Sequence, residues 1–144
     1  MRVSMWAAGL ILLLGLICGC SQQSTATEDL IHALSEAHSA IASSVLGIDL
    51  YDQQRSTRAV TETLLEDMAE QIVDAERALE TVTIDSEQSQ SERDAALAAI
   101  HTGAAALLTS RDQLQQRGAV DNTADLEAAG HQIDSVLGQL RGGQ

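Results

Sequence analysis

The sequence predicts an all-α protein, an up-down four-helix bundle that follows a cleaved leader. From residue 28 onward, apolar residues recur at alternating steps of three and four, which is the spacing of one face of an α-helix. No segment alternates between apolar and polar residues as a half-buried strand does. The 144-residue chain contains no proline, as expected of a chain that is almost wholly helical. Four apolar series separated by short polar segments fit an up-down bundle.

Charge divides the chain into two unequal parts. Residues 1–20 contain one charged side chain, Arg2, and all 21 acidic residues follow them. Removal of the first 19 residues would leave 125, enough for one small domain. These 125 residues carry seven arginines against 21 carboxylates, a side-chain balance of −14. Because such a surface repels phosphate backbones, the composition argues against nucleic acid as a partner.

Residues 1–19 have the pattern of a signal peptide. Met1 and Arg2 supply a positive start, and about a dozen apolar residues extend from Met5 to Ile17. This run is shorter than the roughly 20 residues that a helix needs to span a bilayer. We therefore expect a cleaved export signal. An uncleaved signal anchor and an ordinary secretory signal are the alternatives.

The residues Ile17-Cys18-Gly19-Cys20 resemble the lipobox of bacterial lipoproteins. That motif has an aliphatic residue at −3, a small residue at −1 and then the modified cysteine, as Ile17, Gly19 and Cys20 do here. Cys18 fits poorly as the acceptor, because Gly15 would stand at −3 and Ile17 at −1. The resemblance implies lipid attachment at Cys20, with diacylglycerol on its sulfur and cleavage before it.

The resemblance further implies a protein that is lipid-anchored on the extracytoplasmic side of the cell membrane, with membrane lipid as its first partner. Two acyl chains hold a protein firmly, whereas one saturated chain binds marginally, at about 0.8 kcal/mol per buried CH₂. If the host has an outer membrane, Ser21 resembles the residue of lipoproteins sent there. Residues 20–27 would form the lipidated cysteine and a tether. Ser21 to Thr27 are small, polar and uncharged, which is typical of a flexible segment with a reach of roughly 15 Å.

The helical domain is expected over residues 28–144, and its first helix over about 28–53. Thr27 is the expected N-cap, followed by two carboxylates at the positive end of the helix dipole. Gly47 could end this helix early or lie inside it at a cost of about 1 kcal/mol. We expect the interior position because the apolar spacing continues beyond the glycine. The apolar face comprises Leu30, Leu34, Ala37, Ile41, Ile48 and Tyr51.

The second helix is expected over about 57–82, and the third over about 92–117. Ser56 or Thr57 can cap the second helix. Ser91 and Asp94 resemble a capping box for the third, which should stop at the glycine of Arg117-Gly118. The two apolar faces are, in order, Leu65, Met68, Ile72, Ala75, Leu79 and Val82, and then Leu97, Ile100, Ala104, Leu107 and Leu114.

The fourth helix is expected over about 123–141, opened by Asn122 or Thr123, with Leu126, Gly130, Ile133, Leu137 and Leu140 on its apolar face. Adjacent apolar pairs broaden each stripe beyond a two-helix seam, which favours a four-helix core. These pairs are Leu64/Leu65, Ile72/Val73, Leu107/Leu108 and Val136/Leu137. From their mid-helix positions on the stripes, we expect Leu65, Ile72, Leu107 and Ile133 to be buried.

Four histidines raise the question of a metal site. Metal-binding bundles place Glu-x-x-His on two helices, with further inward-pointing carboxylates. The nearest approximations here do not repeat: they are Asp29 with His32, Glu36 with His38, and Glu127 with His131. We therefore predict no metal site, and we expect His38 and His101 to be solvated.

The sequence also contains no pattern that indicates catalysis. No Gly-x-Ser-x-Gly, His-Glu-x-x-His or phosphate-binding glycine loop occurs. We therefore predict no catalytic residue, no cofactor and no enzyme activity. Arg111 interrupts an apolar series, and we expect its stem to cover apolar surface. The alternative is that it crosses the edge of the core to reach a carboxylate.

Two classes of function remain. The first is a non-catalytic envelope protein, a protein-interaction or spacer module, whose binding partner would be another envelope protein. It predicts a filled core and an exposed apolar strip along Leu46 and Leu50. The second is a binder of a small apolar ligand or a metal between the helices, which predicts a cavity lined by alanine and glycine positions.

Overall fold

The computed structural model describes residues 21–143, with side chains from Thr25 onward. This part of the chain forms four helices and no strand: α1 (Ser21–Asp52), α2 (Arg58–Thr81), α3 (Glu87–Arg117) and α4 (Ala124–Gly142). The predicted all-α four-helix bundle is confirmed. The predicted leader, the residues that resemble a lipobox and the predicted attachment site Cys20 lie outside the described residues.

The helices are arranged in sequence order around a common core. Each helix packs against the next, α4 closes the ring against α1, and α1 also meets α3 across the diagonal. Because the loops are short, consecutive helices are antiparallel. The start of α1 therefore lies at the same end of the bundle as the loop over residues 82–86 and the end of α4. No helix in the described range is long and apolar enough to cross a membrane.

The core consists of leucine, isoleucine and alanine from all four helices. Leu65, Ile72, Leu107 and Ile133 are each at most 1% exposed, so their predicted burial is confirmed. Ile41 of α1 fills the space beside two glycines: a Cβ would lie 3.2 Å from its Cδ1 at Gly103 and 3.5 Å from its Cγ2 at Gly130. These glycines therefore let α3 and α4 approach α1 closely.

The first helix is longer than the sequence predicts. It begins at Ser21, seven residues before the predicted start at residue 28, so the segment expected to be a flexible tether is helical and Thr27 is not an N-cap. No proline or glycine interrupts residues 21–27. Once a helix has nucleated, each added residue gains one backbone hydrogen bond, so the helix extends through this polar segment. Gly47 lies inside α1, as expected, and a Cβ there would overlap Leu64 Cδ2.

The caps of α2 and α3 explain where these helices begin. Thr57 Oγ1 accepts a hydrogen bond from Val60 N, so α2 starts within one residue of the predicted position. Helix α3 starts five residues before the predicted 92, because Ser86 Oγ accepts from Ser89 N at 3.1 Å. Ser91 thus lies inside α3 and does not form a capping box.

The last loop contains both stop and start signals. Helix α3 ends at Arg117, and Gly118 has a left-handed φ of 71°, as the sequence predicts. The start of α4 at Ala124 is secured by Asn122, whose Oδ1 accepts from Ala124 N at 2.6 Å. The side chain of Thr123 makes no capping hydrogen bond.

Candidate functional site

The histidines lie at helix surfaces, and two of them connect neighbouring helices. His38 of α1 lies 3.3 Å from an oxygen of Asp134 on α4, and His101 of α3 lies 2.6 Å from Glu76 on α2. The His101 side chain is 58% exposed, so it is solvated as expected, whereas His38 is partly covered. Sequence spacing could not reveal these pairs, because their members are far apart in the chain.

Several clefts lie between the helices. A cleft of about 250 Å³ between α1 and α4 is lined by His38, His131 and Asp134 among others. Another, of about 470 Å³, lies between α1 and the end of α2, beside Asp29 and His32. Within residues 21–143, no three histidine, cysteine or carboxylate side chains come together so as to hold a metal ion. These two clefts therefore offer no metal centre.

The third cleft differs in its chemistry, and we call it the α2–α3 groove. It has a volume of about 460 Å³. Its lining residues are Glu66, Ala69, Glu70, Val73, Asp74 and Arg77 from α2, and Leu108 and Arg111 from α3. Val73 and Leu108 are each 48% exposed, and they are two of the four large apolar side chains exposed in the described part of the chain. The groove thus combines uncovered apolar surface with charged residues.

Arg111 is the least satisfied charged residue of the groove. It is half-buried, and its buried Nε has no hydrogen-bond partner. It also makes no ion pair with any residue that the structure describes, so it does not reach a carboxylate. A buried donor left unpaired costs about 1–3 kcal/mol, and more when it is charged. Native proteins keep few such groups. Arg111 therefore keeps unused hydrogen-bonding capacity in the single chain, although Glu66 and Glu70 line the same groove.

The carboxylates of the groove are unevenly paired. Asp74 forms an ion pair with Arg77 at 2.6 Å. Glu66 and Glu70 make no ion pair or side-chain hydrogen bond with the residues that the structure describes. The five charged residues of the groove carry three negative and two positive charges, a balance of −1. The whole chain carries −13, so the groove is nearly neutral on a strongly acidic protein.

The apolar surface differs from what the sequence predicts. Leu46 is 58% exposed, as expected, but Leu50 is half-buried. The pairs Ile72/Val73 and Leu107/Leu108 were expected to broaden the core stripe, whereas only Ile72 and Leu107 are buried. Adjacent residues on a helix point about 100° apart, so the second member of each pair turns out of the core at the α2–α3 boundary. These pairs were the signal for the groove.

The geometry of the groove suits binding rather than chemistry. Its lining contains no serine, threonine, cysteine or histidine, and therefore no nucleophile next to a base. It offers apolar contact area, one unpaired guanidinium and two unpaired carboxylates. Comparison with protein-family models, with curated proteins and with solved structures gives no match for this chain.

Proposed function

We propose that this protein is a lipoprotein of the bacterial cell envelope, anchored through Cys20, and that its helical bundle is a non-catalytic protein-interaction module. The main support is the α2–α3 groove, where the buried Nε of Arg111 is unpaired and Val73 and Leu108 are exposed. Protein interfaces commonly combine an apolar centre with arginine, and buried arginines are frequent hot spots in them.

The position of the groove along the bundle also favours a protein partner. Because α1 begins at Ser21, next to Cys20, an anchored chain would hold this end of the bundle close to the lipid. Helix α3 begins at the same end with Glu87, and Leu108 is 21 residues further along. At a rise of about 1.5 Å per residue, Leu108 would stand about 30 Å above the start of α3. The groove would then face other envelope proteins rather than lipid.

The alternative, a small apolar ligand or a metal bound between the helices, has less support. Such a ligand would need a cavity at the alanine and glycine positions. Gly103 instead packs against the side chain of Ile41, and Gly130 borders the α1–α4 cleft of about 250 Å³ together with Ala42. The clefts that do occur are open to solvent at the helix boundaries. Binding of a protein through a surface groove therefore fits the geometry better.

The anchor is tested by Cys20→Ser. The full-length wild-type protein should partition into the detergent phase and have an intact mass that includes acyl chains. The Cys20→Ser protein should lose these chains and accumulate as an unprocessed or released form. If it still partitions with detergent after cleavage of the leader, the anchor lies elsewhere and the assignment of Cys20 is wrong.

The interaction surface is tested by the accessibility of an introduced thiol. Leu108→Cys should react slowly with a water-soluble maleimide in envelope membranes, and severalfold faster after purification in detergent. Ala128→Cys, at an exposed position of α4, is the matched control and should react at the same rate in both preparations. If position 108 already reacts in envelope membranes as fast as it does after purification and as fast as Ala128→Cys, nothing covers the groove in the envelope.

A further inference from the structure

We propose that the occupant of the α2–α3 groove is the same groove of a second copy, so that two anchored chains stand side by side in one membrane. This inference rests on the proposed function, since it requires lipid anchoring and the groove as the contact surface. The charge pattern of the groove, the register of its two helices and the orientation of anchored chains identify this partner.

The charge pattern favours a second copy over a cationic partner. A cationic partner would satisfy Glu66 and Glu70 but would leave Arg111 unpaired. A second copy supplies carboxylates for Arg111 and a guanidinium for Glu66 in one contact. The groove has a balance of −1 while the whole chain has −13, so it is a part of the surface where two copies repel each other little. Charges elsewhere are screened beyond a Debye length of about 8 Å at physiological salt.

The register between α2 and α3 places the complementary charges at the same height. His101 of α3 contacts Glu76 of α2 at 2.6 Å, which places these two residues at about the same height in the bundle. Because the helices are antiparallel, each step forward along α3 matches one step back along α2. Arg111, ten residues after His101, is therefore level with Glu66, ten residues before Glu76.

The same register aligns the apolar residues. Leu108 lies seven residues after His101, and Ala69 lies seven residues before Glu76. Leu108 is therefore level with Ala69, and both line the groove. A small residue opposite a leucine leaves room for the larger side chain, as in knobs-into-holes packing.

A shared membrane determines the orientation of the two copies. Each chain would be held at Cys20, next to the start of α1, so both bundles would point the same way out of the membrane. A twofold axis relating them must then be perpendicular to the membrane and parallel to the helices. Such a rotation keeps every residue at its height and brings α3 of one copy against α2 of the other. Arg111 of each copy would then meet Glu66 of the other, and Leu108 would meet Ala69.

Attachment to one membrane also lowers the affinity that the contact requires. Two chains confined to the same surface encounter each other at a much higher effective concentration than free chains do. A groove of modest area with two symmetric Arg111–Glu66 pairs can therefore be sufficient. In this isologous arrangement each contact occurs twice, and the assembly is complete with two copies.

The test uses full-length lipidated protein reconstituted alone in phosphatidylcholine vesicles. A mixture of Leu108→Cys and Ala69→Cys copies should form a disulfide-linked dimer on mild oxidation. A mixture of Ala128→Cys and Ala69→Cys copies is the matched control and should not. If the control mixture crosslinks as strongly as the 108–69 mixture, the contact is non-specific and the proposed dimer is wrong.

A charge exchange tests the Arg111–Glu66 pair in the same assay. Arg111→Glu or Glu66→Arg alone should reduce the 108–69 crosslink roughly tenfold or more, because like charges would face each other twice across the interface. The double variant Arg111→Glu with Glu66→Arg should restore it. Failure of the double variant to recover, when its thermal melt matches the wild type, would refute this register.

The failure of this inference can be separated from the failure of the proposed function. If the 108–69 crosslink is missing in vesicles that contain this protein alone, while position 108 stays protected in envelope membranes, a different protein occupies the groove. The second copy is then excluded and the interaction module stands. If position 108 is unprotected in both preparations, both proposals fail.

Discussion

A half-buried charged side chain loses some of its hydrogen bonds to water, and the fold is less stable unless protein groups replace them. Arg111 gains no such hydrogen bond through Nε, whereas Arg77 pairs with Asp74 at the exposed edge of the same groove. The interruption of an apolar series by Arg111 is visible in the sequence. The sequence does not show whether its guanidinium meets a carboxylate. The answer depends on residues of α2, which lie about 40 positions earlier in the chain.

Arg111→Met tests this imbalance at the level of one residue. Methionine keeps the apolar stem and removes the unpaired donor, so we expect the monomeric protein to gain about 1 kcal/mol in free energy of unfolding. Urea denaturation at low protein concentration measures the change. Arg77→Met is the control and should stay within about 0.5 kcal/mol, since its exposed ion pair contributes little. A clear loss of stability in Arg111→Met would mean that the guanidinium is satisfied in solution.

Leu107 and Leu108 provide a second comparison at this scale, because they are identical side chains at adjacent positions. Leu107 is fully buried and Leu108 is 48% exposed. Leu107→Ala should cost roughly 2–5 kcal/mol of unfolding free energy, whereas Leu108→Ala should cost well below that. Denaturation of the two variants in parallel decides the matter. Similar losses would mean that Leu108 is also a core residue and that the groove is closed in solution.

At the scale of the element, the apolar periodicity predicted four helices, and it failed where a helix begins in polar sequence. Residues 21–27 and 87–91 contain too few apolar side chains to show a helical stripe. These residues are helical because the helix extends into them from the turns that pack in the core, and residues 87–91 also because a capping residue lies upstream. The pattern of apolar residues shows neither of these causes. Gly118 was predictable, because a left-handed C-cap strongly favours glycine and a cation precedes it.

The start of α3 is tested by two serine variants. Ser86 Oγ accepts a hydrogen bond from Ser89 N, so Ser86→Ala should cost about 1 kcal/mol of unfolding free energy. Ser91 is exposed inside α3, where alanine is the better helix former, so Ser91→Ala should be neutral or slightly stabilising. Thermal melts of both variants give the comparison. The reverse ranking would place the helix start at residue 92, where the sequence pattern suggested it.

At the scale of the whole molecule, the sequence predicts the fold class because the four stripes have to bury one another. The sequence does not show which residues of the other helices each apolar stripe contacts. The contacts of Ile41 with the Gly103 and Gly130 positions, and the pairing of His101 with Glu76, exist only once the ring of helices has closed. The α2–α3 groove belongs to the same class of feature. It is formed by two helices and their register, so neither helix reveals it alone.

The charge of the whole molecule leads to a prediction that separates the anchor from the surface. Residues 20–144 carry seven arginines against 21 carboxylates, and they should be repelled by an anionic bilayer within a Debye length of about 8 Å. Residues 21–144, made without acyl chains, should therefore not sediment with anionic vesicles at physiological salt. The full-length lipidated protein should sediment with the same vesicles, because its acyl chains insert whatever the charge of the surface. Lower salt should weaken any residual binding of the unlipidated form, since repulsion then reaches further. If binding strengthened instead as salt was lowered, the arginines would have to form a cationic patch, and membrane contact through the bundle itself would replace the proposed lipid attachment at Cys20 as the explanation of membrane binding.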